Sequence, residues 1–267
     1  MKQLTFLLIL AIVFTACKNT SETSETKATI NTPLGEVDAG EAATENGFII
    51  NPVEHASMVL NWDGTIIYVD PVGGKESYAN YSEPDMVLVT DIHGDHMDIP
   101  TLEAIAVEKT IIYAPKAVFE KMPESIQNKT SVINNGEITN DFEMTIEAIP
   151  MYNLRPEALK FHEKGRGNGY VLERNGKRIY ISGDTEDIPE MRNLKNIDIA
   201  FVCMNLPYTM TVEKAAEAVL AFKPKTVYPY HYRGENGLSD VAKFKSLVET
   251  GNPDIKVVQL DWYPKEQ

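Results

Sequence analysis

The chain has 267 residues, with 39 Asp and Glu against 25 Lys and Arg, giving a formal net charge of −14. A composition that is 43% hydrophobic and 24% charged is enough for one substantial core, and it excludes collagen-like, coiled-coil and disulfide-scaffold classes. The acidic surplus leaves no net positive field to gather a phosphate backbone, which argues against a nucleic-acid partner.

At the N-terminus, Met1-Lys2 precedes an apolar run over residues 4–14, ended by Thr15, Ala16 and Cys17. One cation, a short apolar stretch and a small residue describe a secretory signal too short to span a bilayer. Phe14-Thr15-Ala16-Cys17 resembles a bacterial lipobox, in which the cysteine is acylated and becomes the new N-terminus. The expectation is a signal peptide over 1–16, lipidation at Cys17 and a flexible tether over 17–46. The Thr, Ser, Glu, Ala and Asn of the tether bury too little surface to offset chain entropy. The address that follows is a bacterial cell-envelope lipoprotein, on the periplasmic face or the outer surface, with acyl chains as its membrane partner. With Cys17 modified, Cys203 is the one remaining cysteine, so no intramolecular disulfide forms.

Over 47–267 the pattern is that of one folded domain. Segments 57–62, 65–70, 86–90, 110–113, 142–149, 170–173, 178–182, 197–203, 226–230 and 255–262 are rich in β-branched and aromatic residues and read as strands. Asn175-Gly176 marks a tight hairpin between two of them. Helical patterns occupy 99–107, 115–121, 212–222 and 240–250. Thr211 and Ser239 stand where N-caps belong, and Gly251 where a C-cap glycine belongs. No tandem repeat is visible, and strands mixed with helices predict a layered α/β domain with its core between sheets.

The chemistry concentrates in Thr90-Asp91-Ile92-His93-Gly94-Asp95-His96, which follows an apolar strand and precedes a helix beginning near Pro100. Two imidazoles and two carboxylates projecting from one tight loop strand unbalanced charge unless they share a cation. Of the five histidines in the chain, two lie here; downstream, His162 precedes a Gly-rich turn, Asp184 ends a strand and His231 ends a late strand.

This loop resembles the His-x-His-x-Asp-His signature of the metallo-β-lactamase fold superfamily, with Asp91 in the place of the first His and His93, Asp95 and His96 matching the rest. "FHEKGRGNGYVL", "YISGDTED" and "VYPYHYRG" continue the resemblance through His162, Asp184 and His231, over about residues 47–262. The resemblance implies a four-layer αββα sandwich holding two divalent metal ions. Asp91, His93 and His162 would hold one metal, Asp95, His96 and His231 the other, and Asp184 would bridge them. Zinc is the expected metal. Asp91 is a competent zinc ligand that makes the site richer in oxygen and more tolerant of Mn or Fe; the alternative is that it points away and leaves the first position weak.

"VEHASMVLNWDGTIIYVDP" resembles the first hairpin of the lactonase-like and phosphodiesterase-like branch of that superfamily, which includes L-ascorbate-6-phosphate lactonase-like proteins. There His55 is a candidate for substrate contact or proton transfer, with a buried hydrogen-bonded His as the alternative. Asp70 either orients a metal-bound His or is a turn residue before Pro71. In "NLPYTMTVEKAAEAVLAFKPKTVYPYHY", Asn205, Tyr208 and Met210 read as loop packing, with pocket lining as the alternative. Cys203 reads as buried core rather than a ligand. "GRGNG" has no phosphate-loop lysine and reads as a turn that brings backbone near the metals.

The expected reaction is hydrolysis of a small-molecule ester, lactone or phosphodiester by a metal-bridged hydroxide, with Asp95 also accepting a proton. The competing readings are an envelope lipoprotein that binds metal or ligand without turnover, and a nuclease of the same fold, against which the acidic charge counts. Oligomeric state is not legible.

Overall fold

The computed structural model describes residues 42–45 and 47–263. The signal peptide, Cys17 and nearly all of the expected tether fall outside these residues. A first strand, β1 (Ala43–Glu45), pairs antiparallel with β2 (Phe48–Glu54), so the folded domain includes residues that the sequence pattern assigns to the tether. Short polar strands at a sheet edge carry little apolar signal, and Ala43-Thr44-Glu45 reads as spacer for that reason.

The first sheet continues through β3 (Ser57–Trp62), β4 (Thr65–Val69), β5 (Met86–Leu88), β6 (Ile111–Ala114) and β7 (Thr130–Val132), adjacent in that order. The second contains β8 (Ile138–Asp141), β9 (Met144–Met151), β10 (Gly167–Arg174), β11 (Lys177–Ile181), β12 (Ile199–Cys203) and β13 (Thr226–Tyr230). A two-stranded ribbon follows, β14 (Arg233–Gly234) with β15 (Gly237–Leu238), and β16 (Lys256–Val257) closes the second sheet beside β13. Each seven-stranded sheet runs four antiparallel strands, then three joined in parallel. The same plan is thus used twice, a doubling of topology that leaves no trace in the sequence.

Alternation along the strands decides what each side chain packs against. From β3 to β6, Leu60, Ile67, Leu88 and Tyr113 enter the core between the sheets, while Val59, Tyr68, Val87 and Ile112 face outward. The outer face of the first sheet is covered by α1 (Ile99–Ile105), α2 (Lys116–Phe119) and α3 (Glu124–Gln127) through Leu102, Val118 and Ile126. On the second sheet, α4 (Pro189–Arg192), α5 (Val212–Phe222) and α6 (Val241–Gly251) contribute Met191, Val219 and Phe244. The result is the layered α/β sandwich expected from the sequence.

Local signals are largely realised. Thr211 caps α5, accepting a hydrogen bond from the Lys214 amide, and Asn175-Gly176 turns β10 into β11 with φ of 53° and 74°. Three expectations need correction. Asp240, not Ser239, caps α6; the Ser239 hydroxyl instead donates to the Met204 carbonyl. Gly251 is the last residue of α6, where a Cβ would come within 2.6 Å of Leu220 on α5, and Asn252 takes the cap position. The strand expected over 255–262 contracts to β16, and Trp262 reaches the core from irregular chain, stacking on Phe201 at 6.4 Å.

Candidate metal centre

The centre forms where parallel strands end, the usual place for ligands in such sheets because the chain leaves each strand as a loop there. Asp70 follows β4, the Asp91–His96 loop follows β5, Asp184 follows β11, Asn205 follows β12 and His231 follows β13. His162 arrives from the long connection between β9 and β10. Asp70, His55 and His231 all hold positive φ, of 43°, 50° and 44°, which bulky residues keep only where their surroundings enforce it.

The structure brings together seven of the residues singled out by sequence, six of them in two groups of three and Asp184 between. Asp91, His93 and His162 converge with one ligand atom each, and Asp95, His96 and His231 do the same. Asp184 stands between the groups, with its carboxylate 3.3 Å from His162 Nε2, 3.5 Å from His96 Nε2 and 3.4 Å from His231 Nε2. His231 Nε2 is also 3.3 Å from Asp95. Metal–ligand bonds of about 2.1 Å in a tetrahedron place donor atoms about 3.4 Å apart. The second group and Asp184 are therefore spaced as a cation requires.

Hydrogen bonding fixes which ring nitrogens face inward. His162 Nδ1 donates to the Tyr208 carbonyl at 3.2 Å, leaving Nε2 toward the centre. His96 is held through Nδ1 by Asp70 at 2.8 Å, and Asp70 in turn accepts from the Thr90 hydroxyl at 2.6 Å and the Thr90 amide at 2.7 Å. Asp70 is thus an orienting partner rather than a turn residue. Among the described residues His96 Nε2, His162 Nε2 and Asp184 Oδ1 are buried with no hydrogen-bond partner. Three orphaned polar atoms, with Asp184 between the two imidazoles, fit divalent cations and are costly without them.

Charge follows the same layout. Burial disfavours the Asp184 anion, yet His231 and His96 hold its carboxyl well below the usual range. Burial opposes the His96 cation, but Asp184 and Asp70 raise its pKa well above that of a free imidazole. Burial raises Asp70, offset in part by His96. Asp95 lies below the ordinary carboxylate range, its desolvation outweighed by His231 and His96.

A cavity of about 380 Å³ opens over these groups, bounded by His55, Phe161, Tyr208, Arg233 and Glu235 beside the histidines and aspartates. That volume suits a small molecule. His55 packs edge-on to His231 with ring centres 5.5 Å apart, and its Nδ1 lies 3.3 Å from the Tyr263 hydroxyl. Burial, then His231, lowers its pKa. Asn205 and Tyr208 line the cavity, whereas Met210 is buried in the core away from it. Cys203 is buried, its thiol pushed up to about 12 by desolvation, and it donates toward the Thr185 carbonyl as a core residue.

Sequence reasoning missed two cations. Arg233 spreads its guanidinium over the Tyr263 ring at 4.2 Å on the cavity wall. Arg166, within the segment read as a plain turn, grips Asp91 with Nε at 3.1 Å and Nη2 at 2.9 Å.

Two seven-stranded sheets with outer helices and a His/Asp centre at one edge define the metallo-β-lactamase fold. The chain belongs to the beta-lactamase superfamily: the family model described as "Beta-lactamase superfamily domain" matches residues 65–232. It is 29% identical over 205 residues to a UPF0173 metal-dependent hydrolase of Pyrococcus abyssi, covering 73% of this chain and 89% of that one. A crystal structure of a proposed metal-dependent hydrolase from Parabacteroides distasonis is similar at 38% identity and a TM-score of 0.72, covering 82% of this chain and 97% of that one. A metallo hydrolase of Ignicoccus hospitalis shares the fold at 23% identity and a TM-score of 0.66, covering 79% and 94%.

Proposed function

We propose that this metal-dependent hydrolase cleaves a small ester, lactone or phosphodiester, using two divalent cations, zinc in the first instance, held between the two ligand groups with Asp184 shared. The observation that carries the reading is the convergence of orphaned His96 Nε2, His162 Nε2 and Asp184 Oδ1 beneath a cavity of small-molecule size. Bound there, the cations supply an activated water at neutral pH and polarise the oxygen of the scissile group. Asp95 is assigned the role of accepting a proton during turnover, a reading supported by its 45% exposed side chain on the cavity wall. His55 borders the same space and is assigned substrate contact or proton transfer.

The test combines metal analysis of the full chain with a panel of esters, lactones and phosphodiesters. Stoichiometric metal and turnover that is lost on chelation and restored by metal support the reading. A loaded protein that turns over none of the three classes makes it a binding protein. Asp95→Asn that keeps its metal and full activity would remove the proton-accepting role.

We also infer an envelope lipoprotein anchored through Cys17, from Lys2, the apolar run and the small residues that precede the cysteine. Cys17→Ser is expected to move the protein from the membrane to the soluble fraction; an unchanged membrane fraction would contradict the anchor.

A further inference from the structure

We propose that Arg166 makes the two metal positions unequal: the position formed by Asp95, His96 and His231 holds a resident ion, while that formed by Asp91, His93 and His162 takes an exchangeable one. The inference rests on the two-position reading above and concerns how the positions load.

Each position has one inward nitrogen without a partner, His96 Nε2 at the second and His162 Nε2 at the first, so the difference lies in the other groups. At the second position the His96 ring is locked by Asp70, and the group against His231 Nε2 is the neutral Asn205 amide at 3.3 Å. At the first, Asp91 is already engaged on both oxygens. Arg166 Nε donates to Oδ1 at 3.1 Å and Nη2 to Oδ2 at 2.9 Å, while His93 Nδ1 lies 2.8 Å from Oδ2. That last separation is a hydrogen-bond length, well inside the spacing of about 3.4 Å that two ligands of one tetrahedral ion require. A cation entering here must part His93 from Asp91 and share Oδ2 with a guanidinium that cannot lose its proton. It must also sit beside that positive charge.

Arg166 is not a passing surface contact. Its side chain is 16% exposed, Nη2 also donates to the Phe161 carbonyl, and the backbone close by is tied to the metal loop by the Asn168 amide donating to the Thr90 carbonyl at 2.9 Å. The guanidinium is therefore delivered to Asp91 by the start of β10.

The experiment is equilibrium dialysis of metal-stripped full-length protein against graded free zinc, with bound metal per chain counted by elemental analysis. Wild type should load in two steps at least about tenfold apart, the scale typical of changes in outer partners of metal ligands. His231→Ala should abolish the tight step and His93→Ala the weak one. Arg166→Gln should tighten the weak step about tenfold or more and leave the tight step in place, while Arg166→Lys, which keeps the cation, should leave the two steps apart. Two equal steps in wild type, a reversed assignment by His231→Ala and His93→Ala, or an unchanged or weakened first position in folded Arg166→Gln would each overturn the proposal. The wild-type and histidine arms do so even if Arg166→Gln fails to fold. Absence of metal from wild type at every concentration would instead overturn the metal-centre reading itself.

Discussion

Asp70 and Asp91 are both fully buried carboxylates beside a histidine, and their surroundings give them opposite uses. Asp70 accepts from Thr90 and from the outer nitrogen of His96, so its charge steadies a ring whose other nitrogen stays free for a cation. Asp91 stands at the inner wall, where burial disfavours the anion but His93, His96 and Arg166 keep its pKa below the ordinary value. In the proposed centre one aspartate orients a ligand of a metal position; the other is assigned as a ligand itself and already carries a counterion. The difference teaches that residue type and burial do not settle a ligand's strength, because what the remaining lone pairs are bound to matters as much.

The largest expected effect comes from Asp184, the residue proposed to be shared by both positions. Asp184→Ala should remove metal from both and lower hydrolysis by about 10³-fold or more, since water loses the activation that takes its pKa from 15.7 toward about 7. Elemental analysis beside steady-state rates checks this, and metal retained at both positions would break the bridging assignment. Asp70→Asn should act on the second position alone, weakening it by about 10–100-fold and leaving the Asp91 group as it was. Equal losses at both positions would erase the distinction between the two carboxylates.

Protons sharpen the same contrast. Because Asp184 and Asp70 raise the pKa of His96, metal uptake at the second position must displace a proton from that ring, and affinity there should climb with pH until the raised pKa is passed. Zinc titrations in buffers of different ionisation enthalpy would reveal the released proton; no release at neutral pH would contradict it. The smallest effect is expected from Thr90→Val, which deletes one hydroxyl donor to Asp70 and should weaken the second position by about 1 kcal/mol, roughly fivefold.

Much of this was legible in the sequence where the signal is local. Strands 57–62 and 226–230 and helix 212–222 fall on the residues that β-branched and aromatic enrichment and the Thr211 cap indicate. The Asp91–His96 loop was visible because its four polar side chains lie within six residues. Legibility failed where partners are distant or apolar patterning is ambiguous. Arg166 reaches an aspartate 75 positions earlier, so nothing around "GRGNG" signals it. Trp262 looks like a strand residue because it is apolar, yet it fills the core from irregular chain. The doubled sheet plan is a property of connection and pairing, which residue patterns do not encode.

The most direct measurement is anomalous diffraction at the zinc edge from crystals equilibrated with limiting zinc. A strong peak is expected among Asp95, His96, His231 and Asp184, and a weaker one among Asp91, His93 and His162 that grows as zinc is raised. A stronger peak at the Asp91 group, or none at either, would contradict that expectation.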